Sequence, residues 1–157
     1  MKIRMGFVSN SSSSSFLLGV REDIIPEVLA FLERNKENLD EFIKKPKSYE
    51  GWDDKIEFTP EVIAEVINEG ARGPLSEDGI KSLIEMLKGS IDETREMKFF
   101  EEQKRKLENQ VKKGLKLYSV LIWNDRIPDR FVEELFIYGL DKTEDDNFCF
   151  TYWESEG

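Results

Sequence analysis

A chain of 157 residues is the size of one domain and can bury a substantial core; its 39% hydrophobic and 11% aromatic content is that of a globular protein. Its formal charge of -10 opposes sequence-independent nucleic-acid binding and docking on anionic membrane, both of which need surplus Lys and Arg. One cysteine, Cys149, and no histidine exclude an intramolecular disulfide, a Cys/His zinc site and any His-activated nucleophile.

In chain order, Lys2–Val8 alternates like a strand, with Ile3, Met5 and Phe7 on one face. A polar run follows, Ser9-Asn10-Ser11-Ser12-Ser13-Ser14-Ser15, and predicts a serine-rich loop over 9–15. The short apolar run Phe16–Val20 reads as a second strand. The two strands form a hairpin around the loop, or one strand interrupted by it. The whole opening, Lys2-Ile3-Arg4-Met5-Gly6-Phe7-Val8-Ser9-Asn10 through the serines to Phe16, resembles the N-terminus of a set of small phage and bacterial proteins. Those begin with a basic strand, then Gly-Phe-Val-Ser-Asn, a serine run and an aromatic residue; Met5 sits where that pattern varies. The resemblance covers residues 2–16 only. It implies a phage or prophage origin, and it implies no reaction and no catalytic residues.

Asp23 is placed to cap a helix with Ile25, Val28, Leu29 and Leu32 at helical spacing and Pro26 in its first turn. Leu39, Phe42 and Ile43 add a further turn or two before Pro46. Residues 46–58 read as a loop with a short edge strand at Lys55–Phe58. Thr59-Pro60-Glu61 is a helix start, followed by the stripe Val62, Ile63, Val66 and Ile67, with Gly70 as a left-handed cap. Ser76 starts the next helix, carrying Ile80, Leu83, Ile84 and Leu87, and Gly89 stops it. Ser90-Ile91-Asp92-Glu93 is a capping box for a long charged helix that runs to about Lys113, with Met97, Phe100, Leu107 and Val111 on one side. Gly114 ends it.

Leu115–Trp123 is the most strand-like segment, apolar on both faces and so expected to be central. Pro128 opens a helix buried through Val132, Leu135 and Phe136 and closed by Gly139. Asp141–Asn147 is an acidic loop. Phe148–Trp153 is a last strand, with Phe148, Phe150 and Tyr152 on one face. The pattern predicts a single α+β (or α/β) domain over 1–157. A small mixed sheet from the N- and C-terminal segments packs with about five helices.

Three groups are candidates for function. The serine segment, Ser9 through Ser15, offers N–H groups and hydroxyls to an anion, or a recognition or modification element to a partner; it lacks the glycines and lysine of a P-loop. Asn124 and Asp125 end the best strand, where open sheets place ligand sites. Asp141, Glu144, Asp145 and Asp146 have oxygen ligands for a hard cation, but their spacing fits no calcium loop, so they read as a solvated turn. Cys149 reads as an inert small hydrophobe. No catalytic residue, metal or cofactor is assigned. The expectation is a non-enzymatic accessory protein in the cytoplasm of a host cell. It binds another protein, does not bind nucleic acid directly and does not enter membrane. The competing readings are an anion- or nucleotide-binding domain, or a His-independent enzyme using the serines and carboxylates, and an acidic nucleic-acid mimic.

Overall fold

The computed structural model describes residues 2–3, 13–45, 58–89, 94–123, 126–152 and 155–156. Strand β1 (Lys2–Ile3) is followed by β2 (Ser13–Val20), helices α1 (Ile24–Arg34), α2 (Lys36–Lys44) and α3 (Pro60–Gly70), and the two-residue strand β3 (Ala71–Arg72). Helices α4 (Glu77–Gly89) and α5 (Thr94–Lys112) lead to β4 (Lys116–Trp123). Then come α6 (Ile127–Glu134), a π-helical turn over Leu135–Gly139, and strands β5 (Phe148–Tyr152) and β6 (Ser155–Glu156). The fold is α+β, as the pattern predicts. The sheet is not mixed: its strands lie in the order β3-β4-β2-β5 and every pairing is antiparallel.

The serine loop is also corrected. From Ser13 onward the segment is strand, paired residue for residue with β4 from Ser13↔Trp123 to Val20↔Lys116. A hydroxyl run has no strand preference of its own. Pairing to apolar β4 decides its conformation, and Ser13 and Ser14 are buried. Among the described residues, β1 pairs with β6 and not with β2, Ile3 lying opposite Ser155. The expected strand over Lys2–Val8 beyond Ile3, the loop residues 9–12, Lys55–Glu57 and the capping box at 90–93 lie outside the described residues. Phe58 is not in a strand.

Alternation along β2, β4 and β5 gives the sheet two unlike faces. Phe16, Leu18 and Val20, with Tyr118, Val120 and Ile122 and with Phe148 and Phe150, point to the large core under α1, α2, α3 and α6. Rings dominate it: Phe16 stacks on Phe150 at 4.5 Å, Phe31 on Phe148 at 4.1 Å and Phe58 on Phe131 at 4.0 Å. Each fully buried Phe contributes about 1.5–3 kcal/mol over an exposed one. The other face is thinner. Leu17, Leu107 and Leu117 make its buried cluster, with Leu75, Ile80, Leu83 and Ile84 packed against them from α4 and its entry.

Helix ends follow local chemistry. Val62 N donates to Thr59 Oγ1 at 3.2 Å, and Gly79 N to Ser76 Oγ at 3.1 Å. Gly114, at φ +82°, turns the chain out of α5. Asp23 occupies the cap position of α1, but its side chain makes no cap bond. Glu27 reaches back instead and accepts from Arg21 N and Glu22 N, each at 3.1 Å. The buried stripe of α1 is Ile24, Val28, Phe31 and Leu32, and Ile25 is exposed. Gly70 is the last residue of α3 rather than a left-handed cap. Of the predicted stripe of α5, Leu107 is buried and Val111 exposed, whereas the side chains of Met97 and Phe100 lie outside the described residues; Gln103 and Gln110 are buried as well. Leu107 packs with Leu17 and Leu117 of the sheet face beneath, and Gln110 Nε2 donates to Glu144 Oε2 at 3.1 Å.

Candidate functional site

Strand β3 is only two residues long, so it covers β4 at Ser119 and Val120 and no further. Beyond that point the flank of β4 is walled by the end of α3 and the start of α6. Ser119, Leu121 and Trp123, alternate residues on one face, form the floor of a cleft of about 440 Å³. Val66, Glu69, Gly70, Arg72, Arg126 and Asp129 complete it. That volume lies within the usual range for ligand sites.

Two arginines face this space and each is held. Arg72 Nη1 donates to the carbonyls of Glu69 (3.1 Å) and Ala71 (3.0 Å), at the C-terminal end of α3, where a cation also offsets the helix dipole. Arg126 Nη2 donates to Asp129 Oδ2 at 2.8 Å; Asp129 is buried and Arg126 more than half exposed. Trp123 is 44% exposed. The cleft therefore offers an aromatic face, two guanidinium groups and the carboxylates of Glu69 and Asp129, with balanced charge inside a protein of net -10.

Of the predicted site residues, Ser13, Ser14 and Ser15 lie in β2. The register sets Ser13 opposite Trp123 and Ser15 opposite Leu121, so the serine end of β2 and the cleft end of β4 are neighbours. Ser9, Asn10, Ser11 and Ser12 lie outside the described residues. So do Asn124 and Asp125, which join two cleft residues, Trp123 and Arg126, in sequence. Sequence reasoning pointed to the end of this strand but missed Arg72, Arg126, Glu69 and Asp129. Pairing of β3 with β4 brings Arg72 and Glu69 to this place, and the start of α6, just after β4, brings Arg126 and Asp129.

The acidic loop is tied down by separate partners. Asp145 accepts from Arg34 Nε at 2.8 Å and from Asn147 N at 2.9 Å, and Asp141 from Asn38 Nδ2 at 3.3 Å. Among the described residues, no group of three His, Cys, Asp or Glu is arranged to share a metal ion. Burial, followed by the charge of Glu144, pushes the Cys149 thiol up to about 12, so at neutral pH it is a thiol and not a nucleophile. No described helix is long and apolar enough to cross a membrane. No family model, curated protein or solved structure matches the chain.

Proposed function

We propose that this is a non-enzymatic phage or prophage accessory protein that binds another protein, taking a segment of its partner into the cleft at the end of β4. The observation that carries this reading is the half-exposed Trp123 ring beside Arg72 and Arg126. Trp and Arg are the residue types most enriched among the few that dominate binding energy at interfaces. The balanced charges of the cleft suit a polar peptide segment, and the acidic surface around it favours a partner of basic character. The serine segment from Ser9 through Ser12 precedes the strand that runs beside Trp123, and it serves as a second recognition or modification element.

The test is a quantitative capture from host lysate with three full-length baits: the natural sequence, Trp123→Ala, and a variant with Ala at Ser11 and Ser12. The intact mass of each bait is recorded. A stoichiometric partner retained by the natural chain and lost by Trp123→Ala is expected. The same partners on the natural and Trp123→Ala baits, in equal amounts, sink the cleft as the binding site. An unmodified serine segment, together with no effect of the serine variant, removes the second element.

A further inference from the structure

We infer that the groove between α4 and α5 is where two copies of this chain meet, as a two-fold dimer. The groove has a volume of about 350 Å³. Its apolar lining is Ile80 and Ile84 from α4 and Leu107 and Val111 from α5. Each pair stands at i and i+4, so each helix contributes one stripe. Leu107 is buried, Ile80 and Ile84 are half-buried, and Val111 is 48% exposed.

The stripes are the first argument. On this face of the sheet the buried cluster is Leu17, Leu107 and Leu117, and the aliphatic residues of α4 around it are only partly covered. A second pair of helices laid over the groove takes Ile80, Ile84 and Val111 out of water, which one chain alone does not do.

Charge names the occupant. Glu77 and Lys81 of α4 and Glu108 and Lys112 of α5 rim the groove, all of them exposed. Along each helix the acid comes first and the base four residues later. Leu75 N donates to the Leu117 carbonyl at 2.7 Å, which ties the entry of α4 to the chain just past the end of α5. The two helices therefore run antiparallel, with Glu77 and Lys112 at one end of the groove and Lys81 and Glu108 at the other. Signs that alternate in this way are self-complementary. A two-fold axis in the plane of contact sets acid against base at every corner, whether α5 lies on α5 of the second copy or on its α4. Among the described residues, none of the four makes an ion pair or a side-chain hydrogen bond within its own chain.

The rim sums to zero in a molecule of net -10. Two copies repel over most of their surfaces, and at this patch they approach with attraction at each corner. A basic protein gains nothing from a neutral rim, whereas a second copy gains all the cross pairs.

Sedimentation of the full chain over a dilution series tests the inference. The mass is expected to rise from that of one chain to that of two. Val111→Lys changes an exposed side chain, so the fold is kept, and it is expected to stay monomeric. Glu108→Lys sets base against base twice across the two-fold axis and is expected to weaken dimerisation about tenfold. Mixing that variant with an equal amount of Lys112→Glu restores the dimer if α5 lies on α5; mixing it with Lys81→Glu restores it if α5 lies on α4. Rescue by either mixture supports the inference and fixes the arrangement. A natural chain that stays monomeric, a Val111→Lys or Glu108→Lys chain that dimerises as tightly as the natural one, or a loss that neither mixture repairs overturns it.

Discussion

Gly70 leaves the last turn of α3 in direct contact with the backbone of β4: a Cβ on Gly70 would lie 2.3 Å from the Leu121 carbonyl oxygen. That approach fixes one wall of the cleft against its floor. Gly70→Ala improves helix propensity by about 1 kcal/mol. The clash is with backbone, which cannot swing aside, and overpacking of this kind costs about 1–3 kcal/mol. The expected outcome is a lower urea midpoint together with weaker capture of the cleft partner.

Arg21 links the end of β2 to the last turn of α5 and to the loop at Asp146 and Asn147 through three hydrogen bonds. Arg21→Ala is expected to lower stability by about 1–2 kcal/mol and to speed amide exchange across 141–147. Arg21→Lys restores little, because an ammonium on a flexible stem cannot span three acceptors as the planar guanidinium does. Equal exchange rates in the natural chain and both variants would contradict the assignment.

Cys149 predicts a loss of stability in alkali. The unfolded thiol ionises near 9.0, whereas the folded thiol holds its proton to about 12. Between those values the folded state binds more protons, so unfolding free energy falls as pH rises; below 9.0 the group has no effect. The loss by pH 12 is on the order of 4 kcal/mol. Other groups also contribute to stability in alkali. The measurement is therefore the difference in pH slope between the natural chain and Cys149→Ala, which should be flatter. Iodoacetamide at pH 8 is expected to leave the native thiol unlabelled and to label it in denaturant.

Gln103 is 4% exposed, and its Oε1 also lacks a donor. Gln103→Met keeps the length of the side chain and removes the unsatisfied oxygen. It is expected to raise stability by about 1 kcal/mol, read as a higher urea midpoint with an unchanged slope. A drop in midpoint would show that the amide is held by bonds worth more than the burial of its oxygen costs.

Features that depend on neighbours in sequence were legible. The caps at Thr59 and Ser76, the exit at Gly114 and the alternation of Phe148, Phe150 and Tyr152 all follow from local chemistry, and the structure keeps them. Features set by distant pairing were not. Nothing in a serine run declares a strand; Ser13 and Ser14 become one because Trp123 and Ile122 lie opposite. Gln103 and Gln110 look like a solvent face, yet both are buried in the folded chain. For the cleft, the sequence pointed to the end of β4 through Asn124 and Asp125. Of its arginines, Arg72 is set there by its pairing with Ser119, a long-range contact, and Arg126 by the start of α6.

The position of β2 has a consequence for how the chain acquires its shape. This strand lies between β4 and β5, so Val20 must find both Lys116 and Phe148. Loop closure over such separations is slow, and domains with many long-range strand pairings fold in milliseconds to seconds. On a ribosome adding roughly 5–20 residues per second, Phe16, Leu17, Leu18 and Val20 would wait several seconds for either neighbour to be made. During that interval the serines are the only polar residues in the strand. They keep its leading half soluble until partners arrive, and replacing them with valines would raise the yield of aggregate during synthesis more than it would change the finished protein.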